Sequence, residues 1–349
     1  MVVPSAARRD TPSTVAPESL PNLGIIPTVD MSSTAPAGRG ELARRLVRAC
    51  AERGFFRAVN HGVPASVSGR LDAAASAFFA RPAPEKQAAG PPDPLGYGSR
   101  NIGAHGDVGE LEYLLLHAEP GAVARKAKVI DAEDPSRFSE AVNEYVDAVR
   151  RLACRVLDLL GEGLGLRDPK SLSRLISAVD SDSLLRINHY PPSGNGGAKG
   201  STAIGFGEHT DPQILSVLRA NDVDGLQVLL PDDRGGDDEW VQVPADPSAF
   251  FINVGDLLQA LTNGRLVSIR HRVIASTTKP RLSAVYFAAP PLHACISALP
   301  ETVTPATPRR YRPFTWAEYK KTMYALRLSH NRLDLFHAND GVGEDGNDQ

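Results

Sequence analysis

The alternation of apolar and polar residues changes at about residue 183, and this change constrains the fold more than any other feature of the sequence. From there to residue 299, eight short segments rich in β-branched or apolar residues are separated by Gly, Pro or Asp turns. Those segments are SLLRINHY, ILSVLRA, LQVLL, WVQVPA, AFFINVG, IRHRVIAS, RLSAVYFAA and HACISAL. Eight strands of this kind predict a double-sheet jelly roll, whose interior can hold a small ligand or a metal ion.

Helices are predicted on both sides of this strand-rich block. On the N-terminal side, GIIPTVDMS and FFRAVNHGVP indicate short strands, and ELARRLVRACAERG between them has one apolar helical face. A longer helix begins at Pro135 and keeps its apolar stripe until GEGLGL ends it. The last helix, TWAEYKKTMYALRL, begins after a Thr315 N-cap with Glu318 three residues later, which is a capping-box pattern. The predicted fold is α+β: a double-stranded β-helix (jelly-roll) core, braced by N-terminal helices and closed by a C-terminal helix.

A single folded domain is expected over residues 24–336. Its parts are a mainly helical N-terminal region, the jelly-roll core and the C-terminal helix, at 24–180, 181–300 and 301–336. The flanking segments are rich in Pro, Ser and Ala at 1–23 and in Gly, Asn and acidic residues at 337–349. Compositions of this kind cannot bury enough apolar surface to become ordered, so both flanks are predicted to be disordered.

The composition limits which kinds of partner the protein is expected to bind and where in the cell it is expected to be. The formal net charge of −3 leaves no basic excess to neutralise phosphates, so nucleic acid is not an expected partner. Apolar runs are too short to span a bilayer, and the first twenty residues contain no apolar core of a signal peptide. The protein is therefore not expected to associate with a membrane. The three cysteines, Cys50, Cys154 and Cys295, are odd in number and far apart, which favours a reducing, cytoplasmic location. The sequence leaves the oligomeric state open, a homo-oligomer included.

The segment GFGEHTDPQ, residues 205–213, contains the first candidate metal ligands. If the chain is extended there, His209 and Asp211 point to one side and Thr210 points to the other. His271, in the β-branched segment IRHRVIAS, is the best candidate for a third ligand. Two histidines and one carboxylate form the facial triad that leaves positions open on Fe(II). A lone His-x-Asp also occurs in polar turns, and the same ligands suit zinc, so a zinc hydrolase remains an alternative.

Two further pairs of residues indicate a dicarboxylic cosubstrate. Arg281 and Ser283 share one face of a predicted strand, where a guanidinium fork and a hydroxyl can hold a carboxylate. Asn188 and Tyr190 share a face with Arg186 in RINHYPP, and an amide and a phenol can hydrogen-bond a metal-chelating 2-oxo acid. This combination favours an oxygenase over a zinc hydrolase.

These motifs carry a family resemblance. HTD at 209–211, HRV at 271–273, RLS at 281–283 and RINHYPP at 186–192 resemble the 2-oxoglutarate and Fe(II)-dependent dioxygenases of plants. The similarity covers about residues 24–336. GYGSRNIG, GDVGELEYLLL and RPFTWAEYKKTMYALRL further resemble the gibberellin 2-oxidases, especially the branch acting on C19 gibberellins. One departure is Glu110, which stands where that family commonly has Trp.

The resemblance implies both a set of cofactors and a reaction. Fe(II) would be held by the triad His209, Asp211 and His271, with 2-oxoglutarate and O₂ as cosubstrates and ascorbate as a candidate supporting reductant. Arg281 and Ser283 would bind the distal carboxylate of 2-oxoglutarate. Asn188 and Tyr190 would orient its chelating end. The implied reaction is the 2β-hydroxylation of C19 gibberellins with release of succinate and CO₂, which inactivates the hormone.

A gibberellin is a rigid, mostly apolar tetracycle with a carboxylate, so its pocket needs apolar walls and a cation. Arg100 is the predicted carboxylate partner, while Lys320 and Tyr324 lie four residues apart on one face of the last helix. Two alternatives keep the chemistry: another gibberellin position or C20 gibberellins, or flavonoid-type substrates. A third alternative is a non-catalytic hormone-binding protein on the same barrel.

Overall fold

A computed structural model describes residues 26–33, 36–91, 95–102, 107–193, 203–231, 236–328 and 332–338. The predicted disordered lead at 1–23 lies outside the described residues. So does most of the predicted tail, of which only His337 and Ala338 are described. His337 forms an isolated β-bridge with Tyr311, so the ordered chain continues slightly past the predicted boundary at 336.

Helices flank the sheets as the apolar stripes predicted. The α-helices are α1 Pro36–Glu52, α2 Ala65–Phe79, α3 Ala83–Gln87, α4 Pro120–Ile130, α5 Pro135–Leu164, α6 Ser171–Ser177, α7 Asp256–Leu261 and α8 Trp316–Tyr324, with 3-10 helices at Pro300–Thr302 and Arg332–Phe336. The predicted long helix is α5, which ends at Gly165 in the left-handed conformation. At α8 the Thr315 hydroxyl accepts from the backbone N–H of Glu318, the predicted cap, and the helix ends four residues earlier than expected. No described helix is long and apolar enough to cross a membrane.

The strands are β1 Thr28–Asp30, β2 Phe55–Val59, β3 Gly96–Ile102, β4 Asp107–His117, β5 Leu184–Tyr190, β6 Ile204–His209, β7 Leu215–Ala220, β8 Leu226–Leu230, β9 Glu239–Gln242, β10 Phe250–Val254, β11 His271–Ile274, β12 Arg281–Ala288, β13 Cys295–Ile296 and β14 Phe314–Thr315. The major sheet has the order β1-β2-β10-β7-β12-β5-β4-β3, and the minor sheet has the order β6-β11-β8-β9. Four central strands of the major sheet and the four of the minor sheet form the predicted jelly roll.

The predicted set of eight core strands was wrong at one strand. HACISAL forms only the short β13, which pairs with β14 outside both large sheets. Its place in the roll is taken by β6, whose sequence IGFGEH has two glycines and little apolar alternation. A second difference is the β3–β4 hairpin, which extends the major sheet within a region predicted to be mainly helical.

Period-two alternation divides the core into two apolar clusters. On β12, Ala284 and Tyr286 pack with the helices, whereas Val285 packs between the two sheets. On β5, Leu185 and Ile187 likewise face the helices. The residues of β5 and β12 that were predicted to bind the cosubstrate therefore project from the opposite face, into the space between the two sheets.

Glu112 on β4 contacts His189 of β5 on the side of the major sheet that packs against the helices. It accepts hydrogen bonds from Lys86 Nζ at 2.6 Å and Tyr97 Oη at 2.7 Å, and it lies 2.9 Å from His189 Nδ1. Burial alone would raise the pKa of Glu112, but hydrogen bonds from His189, Lys86 and Tyr97 outweigh it and lower the pKa to about 2. His189 also stacks on Phe79, which agrees with the structural role predicted for it.

Candidate active site

The three predicted metal ligands meet at one end of the cavity. His209 ends β6, and His271 begins β11 as its direct cross-strand partner, so the two imidazoles are adjacent. Asp211 follows two residues after His209, and its Oδ1 lies 3.6 Å from His209 Nε2 and 3.7 Å from His271 Nε2. The three ligand atoms all lie within 4.8 Å of one another, and all three residues are buried. This spacing suits a single divalent ion between them.

Backbone carbonyls fix the orientation of both imidazoles. His209 Nδ1 donates to the carbonyl of Gly207 at 2.8 Å, and His271 Nδ1 donates to the carbonyl of Ile269 at 3.2 Å. Each Nε2 is then left with its lone pair directed towards Asp211. Hydrogen bonds of this kind set the tautomer and hold the ring of a metal-binding histidine.

The charge states of the triad also fit a metal ion. Burial alone would raise the pKa of Asp211, but the neighbouring His271 and His209 hold it well below its usual value. Burial lowers the pKa of His271 to about 4, so the imidazole is neutral near pH 7. Thr210 points away as predicted, because its hydroxyl donates to Asp256 Oδ2 at 3.2 Å. An anionic carboxylate and a neutral imidazole are the ligand forms that a divalent ion binds.

A buried guanidinium lies on the facing major sheet, at the start of β12. Arg281 is 2% exposed, and its Nε and Nη1 have no hydrogen-bond partner among the described residues. Its cross-strand neighbour on β5 is Tyr190, whose ring centroid is 5.3 Å from the guanidinium carbon. Unpaired buried donors on a fixed fork form a cradle for an anion such as a carboxylate.

Ser283 and Asn188 lie between Arg281 and the triad. They are direct cross-strand neighbours on β12 and β5, with Asn188 Nδ2 3.5 Å from Ser283 Oγ. Both line the main cavity together with Tyr190, whereas Arg281 lies against a small adjoining cavity. Gly225 leaves space for Arg281, because a Cβ there would be 3.1 Å from Arg281 Cδ and 2.7 Å from the carbonyl oxygen of Ile274. The four residues predicted to bind 2-oxoglutarate are thus brought together.

The cavity has a volume of about 190 Å³ and mostly apolar walls. Its apolar lining includes Leu115, Leu184, Phe206, Leu218, Leu226, Val273, Val285, Phe287, Trp316 and Met323. The helix α8 closes one side, and it brings the predicted pair Lys320 and Tyr324 into the lining. Lys320 Nζ is 2.7 Å from Asp182 Oδ2, so its charge already has a partner. This lining suits a rigid apolar molecule with a few polar groups.

Arg100, the predicted carboxylate partner, does not line the cavity. It stands at a register shift between β3 and β4, where its φ of 63° lies in the left-handed region. Its side chain is 66% exposed and bonds to Glu110 Oε1 at 2.8 Å. The structure therefore corrects the prediction for Arg100, and it gives the unusual Glu110 a partner on the surface.

Sequence reasoning missed several polar residues of this site. Arg186 was noted only for sharing a face with Asn188, yet it lines the cavity and donates to Asn188 Oδ1 at 2.7 Å. Arg332, near the C-terminus, donates to the carbonyl of Thr210 at 2.7 Å and so fixes the backbone between two metal ligands. The i, i+2 pattern could have identified Arg186, but no local signal identifies Arg332.

Comparison with known proteins places this geometry in a family. Residues 181–290 match the family model of the 2OG-Fe(II) oxygenase superfamily, and residues 26–133 match that of the non-haem dioxygenase in morphine synthesis N-terminal region. Gibberellin 2-beta-dioxygenase 2 of Oryza sativa subsp. japonica is 74% identical over 91% of this chain and 88% of its own length. Gibberellin 2-beta-dioxygenase of Phaseolus coccineus is 47% identical over 91% of this chain and 93% of its own length.

Solved structures support the same assignment. The rice dioxygenase for auxin oxidation is 31% identical with a TM-score of 0.74, covering 90% of this chain and 100% of that chain. JOX2 in complex with 2OG, Fe and JA is 28% identical with a TM-score of 0.76, covering 90% of this chain and 89% of that chain. The chain therefore belongs to the 2OG-Fe(II) oxygenase superfamily and, within it, to the group of the plant gibberellin 2-beta-dioxygenases.

Proposed function

We propose that this protein is a gibberellin 2-beta-dioxygenase that hydroxylates C19 gibberellins and thereby inactivates the hormone. The observation that carries the proposal is the buried His209, Asp211 and His271 triad at the end of an apolar cavity. The 74% identity to a rice gibberellin 2-beta-dioxygenase over most of both chains supports the substrate class. The free cysteines and the absence of a membrane-spanning helix among the described residues support a cytoplasmic location.

The chain's own residues bind and orient the reactants. The triad would hold Fe(II), and Arg281 with Ser283 would hold the distal carboxylate of 2-oxoglutarate by charge-assisted hydrogen bonds. Asn188 and Tyr190 would orient its chelating end. Bound Fe(II), with 2-oxoglutarate and O₂, supplies the oxidation that turns a C–H bond into C–OH and yields succinate and CO₂, with ascorbate as a supporting reductant.

The walls of the cavity determine which bond is oxidised. A rigid tetracycle packed against Phe206, Trp316 and Met323 cannot tumble, so one carbon is held towards the metal. Lys320 and Tyr324 are proposed to contact polar groups of the substrate from α8, with Lys320 kept in place by Asp182. The same apolar walls exclude water from the reacting centre.

The proposal is tested by turnover with identified products. Protein loaded anaerobically with Fe(II) and 2-oxoglutarate is exposed to air with a panel of C19 and C20 gibberellins and one flavonoid, and the products are analysed by mass spectrometry. We expect 2β-hydroxylated C19 gibberellin with matching succinate. Products from C20 gibberellins, from another position or from the flavonoid alone would replace the proposed substrate and leave the oxygenase assignment intact.

Two variants on β11 provide a matched comparison. His271→Ala removes a ligand and is expected to abolish turnover. Arg272, the next residue, points outward: its Nε donates to Gln227 Oε1 at 2.8 Å and its guanidinium lies 4.1 Å from the Trp240 ring centroid. Arg272→Gln is therefore expected to keep turnover.

The alternatives from other classes give different results in the same assay. A hormone-binding protein without catalysis would bind gibberellin and consume no 2-oxoglutarate, and His209→Ala would leave its affinity unchanged. A zinc hydrolase would give products without oxygen, and it would contain zinc after purification. Either result would overturn the proposed reaction.

A further inference from the structure

Three lysine or arginine side chains line the cavity, and they differ in the partners that the described chain gives them. Lys320 Nζ lies 2.7 Å from Asp182 Oδ2. Arg332 donates to the Thr210 carbonyl and lies in the field of the buried Asp256, and its Nε has no partner among the described residues. The third cation, Arg186, forms no ion pair with any residue that the structure describes. Arg186 is therefore a cavity cation that no described carboxylate pairs directly, although Asp211 acts on it through space.

The Arg186 guanidinium is held in a fixed position. Its Nε donates to Asn188 Oδ1 at 2.7 Å, and its carbon lies 3.8 Å from the Tyr113 ring centroid and 5.0 Å from that of Phe206. Nη2 has no hydrogen-bond partner among the described residues. Contacts to one amide and two aromatic rings orient the planar group without neutralising it.

The position of the Tyr113 ring beside Arg186 depends on a glycine on the adjacent strand. Gly98 on β3 is the cross-strand partner of Tyr113, and a Cβ at position 98 would lie 2.4 Å from Tyr113 Cζ. The ring therefore occupies the space that any side chain at 98 would need. The hydroxyl of Tyr113 donates to the carbonyl of Asn101 at 3.2 Å, which holds the ring beneath Arg186.

Arg186 is well separated from Arg281, the residue assigned to the distal carboxylate of the cosubstrate, although it contacts Asn188. Arg281 is the cross-strand neighbour of Tyr190, and Arg186 precedes Tyr190 by four residues on β5. Four residues of extended strand span about 13 Å. The two unpaired guanidinium groups are thus at different places along the sheet, and each can take its own carboxylate.

We propose that Arg186 binds the carboxylate of the gibberellin substrate and so fixes which end of the tetracycle faces the metal. This inference rests on the proposed function. It assigns to Arg186 the role that the sequence predicted for Arg100, whose exposed side chain is bonded to Glu110. Burial lowers the pKa of Arg186, so an unpaired charge there is costly and is relieved when an anionic group binds.

The test compares a gibberellin acid with its methyl ester. Dissociation constants are measured by isothermal titration calorimetry on protein loaded with Fe(II) and 2-oxoglutarate without oxygen, for the wild type and for Arg186→Met. Losing a charge-assisted contact from Arg186 Nη2 is expected to weaken binding of the acid about 10- to 100-fold. Binding of the ester is expected to change little, so the preference for the acid falls by the same factor.

Two further variants keep the test decisive. Arg186→Lys retains the charge without the fork, and it is expected to keep part of the preference for the acid. Arg100→Met removes an exposed cation that Glu110 pairs outside the cavity, and it is expected to keep the full preference. Loss of the preference in Arg100→Met but not in Arg186→Met would overturn the inference.

The remaining outcomes are also distinct. Equal weakening of acid and ester in Arg186→Met would mean that Arg186 only supports the wall through Asn188, which contradicts the proposed contact. Unchanged binding of both would contradict it as well. Failure of the proposed function looks different, because it appears as absent 2β-hydroxylation by the wild type and not as a changed preference for the acid in Arg186→Met.

Discussion

Replacing Arg281 with methionine should weaken the binding of 2-oxoglutarate and at the same time stabilise the ligand-free protein. The side chain is 2% exposed, and two of its donors have no partner among the described residues. Methionine has a similar length and no charge, so it fills the same space beside Gly225 and Tyr190 without unpaired donors. The two effects have opposite signs because the guanidinium is satisfied only when an anion is bound.

The magnitudes follow from those two donors. Two hydrogen bonds from a charged group are together worth about 3–4 kcal/mol, or about 10²- to 10³-fold in the dissociation constant of 2-oxoglutarate. Without ligand, removing unsatisfied buried donors should raise the free energy of unfolding by about 1–3 kcal/mol. Arg281→Lys should be intermediate in affinity, since it keeps the charge but not the fork.

Both effects are measured on the same preparations. Titration calorimetry with Mn(II) in place of Fe(II) gives the affinity for 2-oxoglutarate, and urea unfolding of the metal-free protein gives its stability. An unchanged affinity in Arg281→Met would refute the assignment of the distal carboxylate to this residue. A large loss of stability in the ligand-free variant would show that the guanidinium has a structural partner.

Three further predictions concern the surroundings of the site. The folded environment lowers the pKa of Glu112 from 4.5 to about 2. Its carboxylate therefore stabilises the fold above pH 4.5, and this stabilisation is lost as the pH falls towards 2. The melting temperature of Glu112→Gln should accordingly depend less on pH between 4.5 and 2 than that of the wild type. Gly98→Ala should force Tyr113 from its place and cost about 1–3 kcal/mol of stability, measured by urea unfolding, with weaker binding of gibberellin acid; unchanged values would contradict the described packing. Arg332→Met frees the Thr210 carbonyl and should weaken metal binding about 10-fold or more, measured by Mn(II) titration, whereas equal affinity would deny it a positioning role.

The sequence was sufficient to select the candidate metal ligands because residues two apart in an extended chain point to the same side. That period places Arg281 and Ser283 on one face of β12, whereas β6 ends at His209 and Asp211 approaches His209 from the residues that follow the strand. The third ligand, His271, was chosen for its β-branched surroundings, and the structure pairs it directly with His209. These residues needed only local geometry to be identified.

Other features depend on contacts between distant segments, and the sequence could not supply them. The direction of Arg100 depends on a register shift in the β3–β4 hairpin, which turns the side chain out towards Glu110. That Arg186 has no ion pair among the described residues, whereas Lys320 pairs with Asp182, is visible only in the folded chain. Gly-rich β6 was missed because it has little apolar alternation, although its pairing with β11 brings two metal ligands together.

Isotope labelling with ¹⁸O₂ tests the central claim most directly. The protein is supplied with Fe(II), 2-oxoglutarate and a C19 gibberellin under ¹⁸O₂ in unlabelled water, and both products are analysed by mass spectrometry. An oxygenase of the proposed kind places one labelled oxygen atom in succinate and one in the new hydroxyl group of the gibberellin. Unlabelled products, or gibberellin recovered unchanged while no succinate forms, would contradict the account.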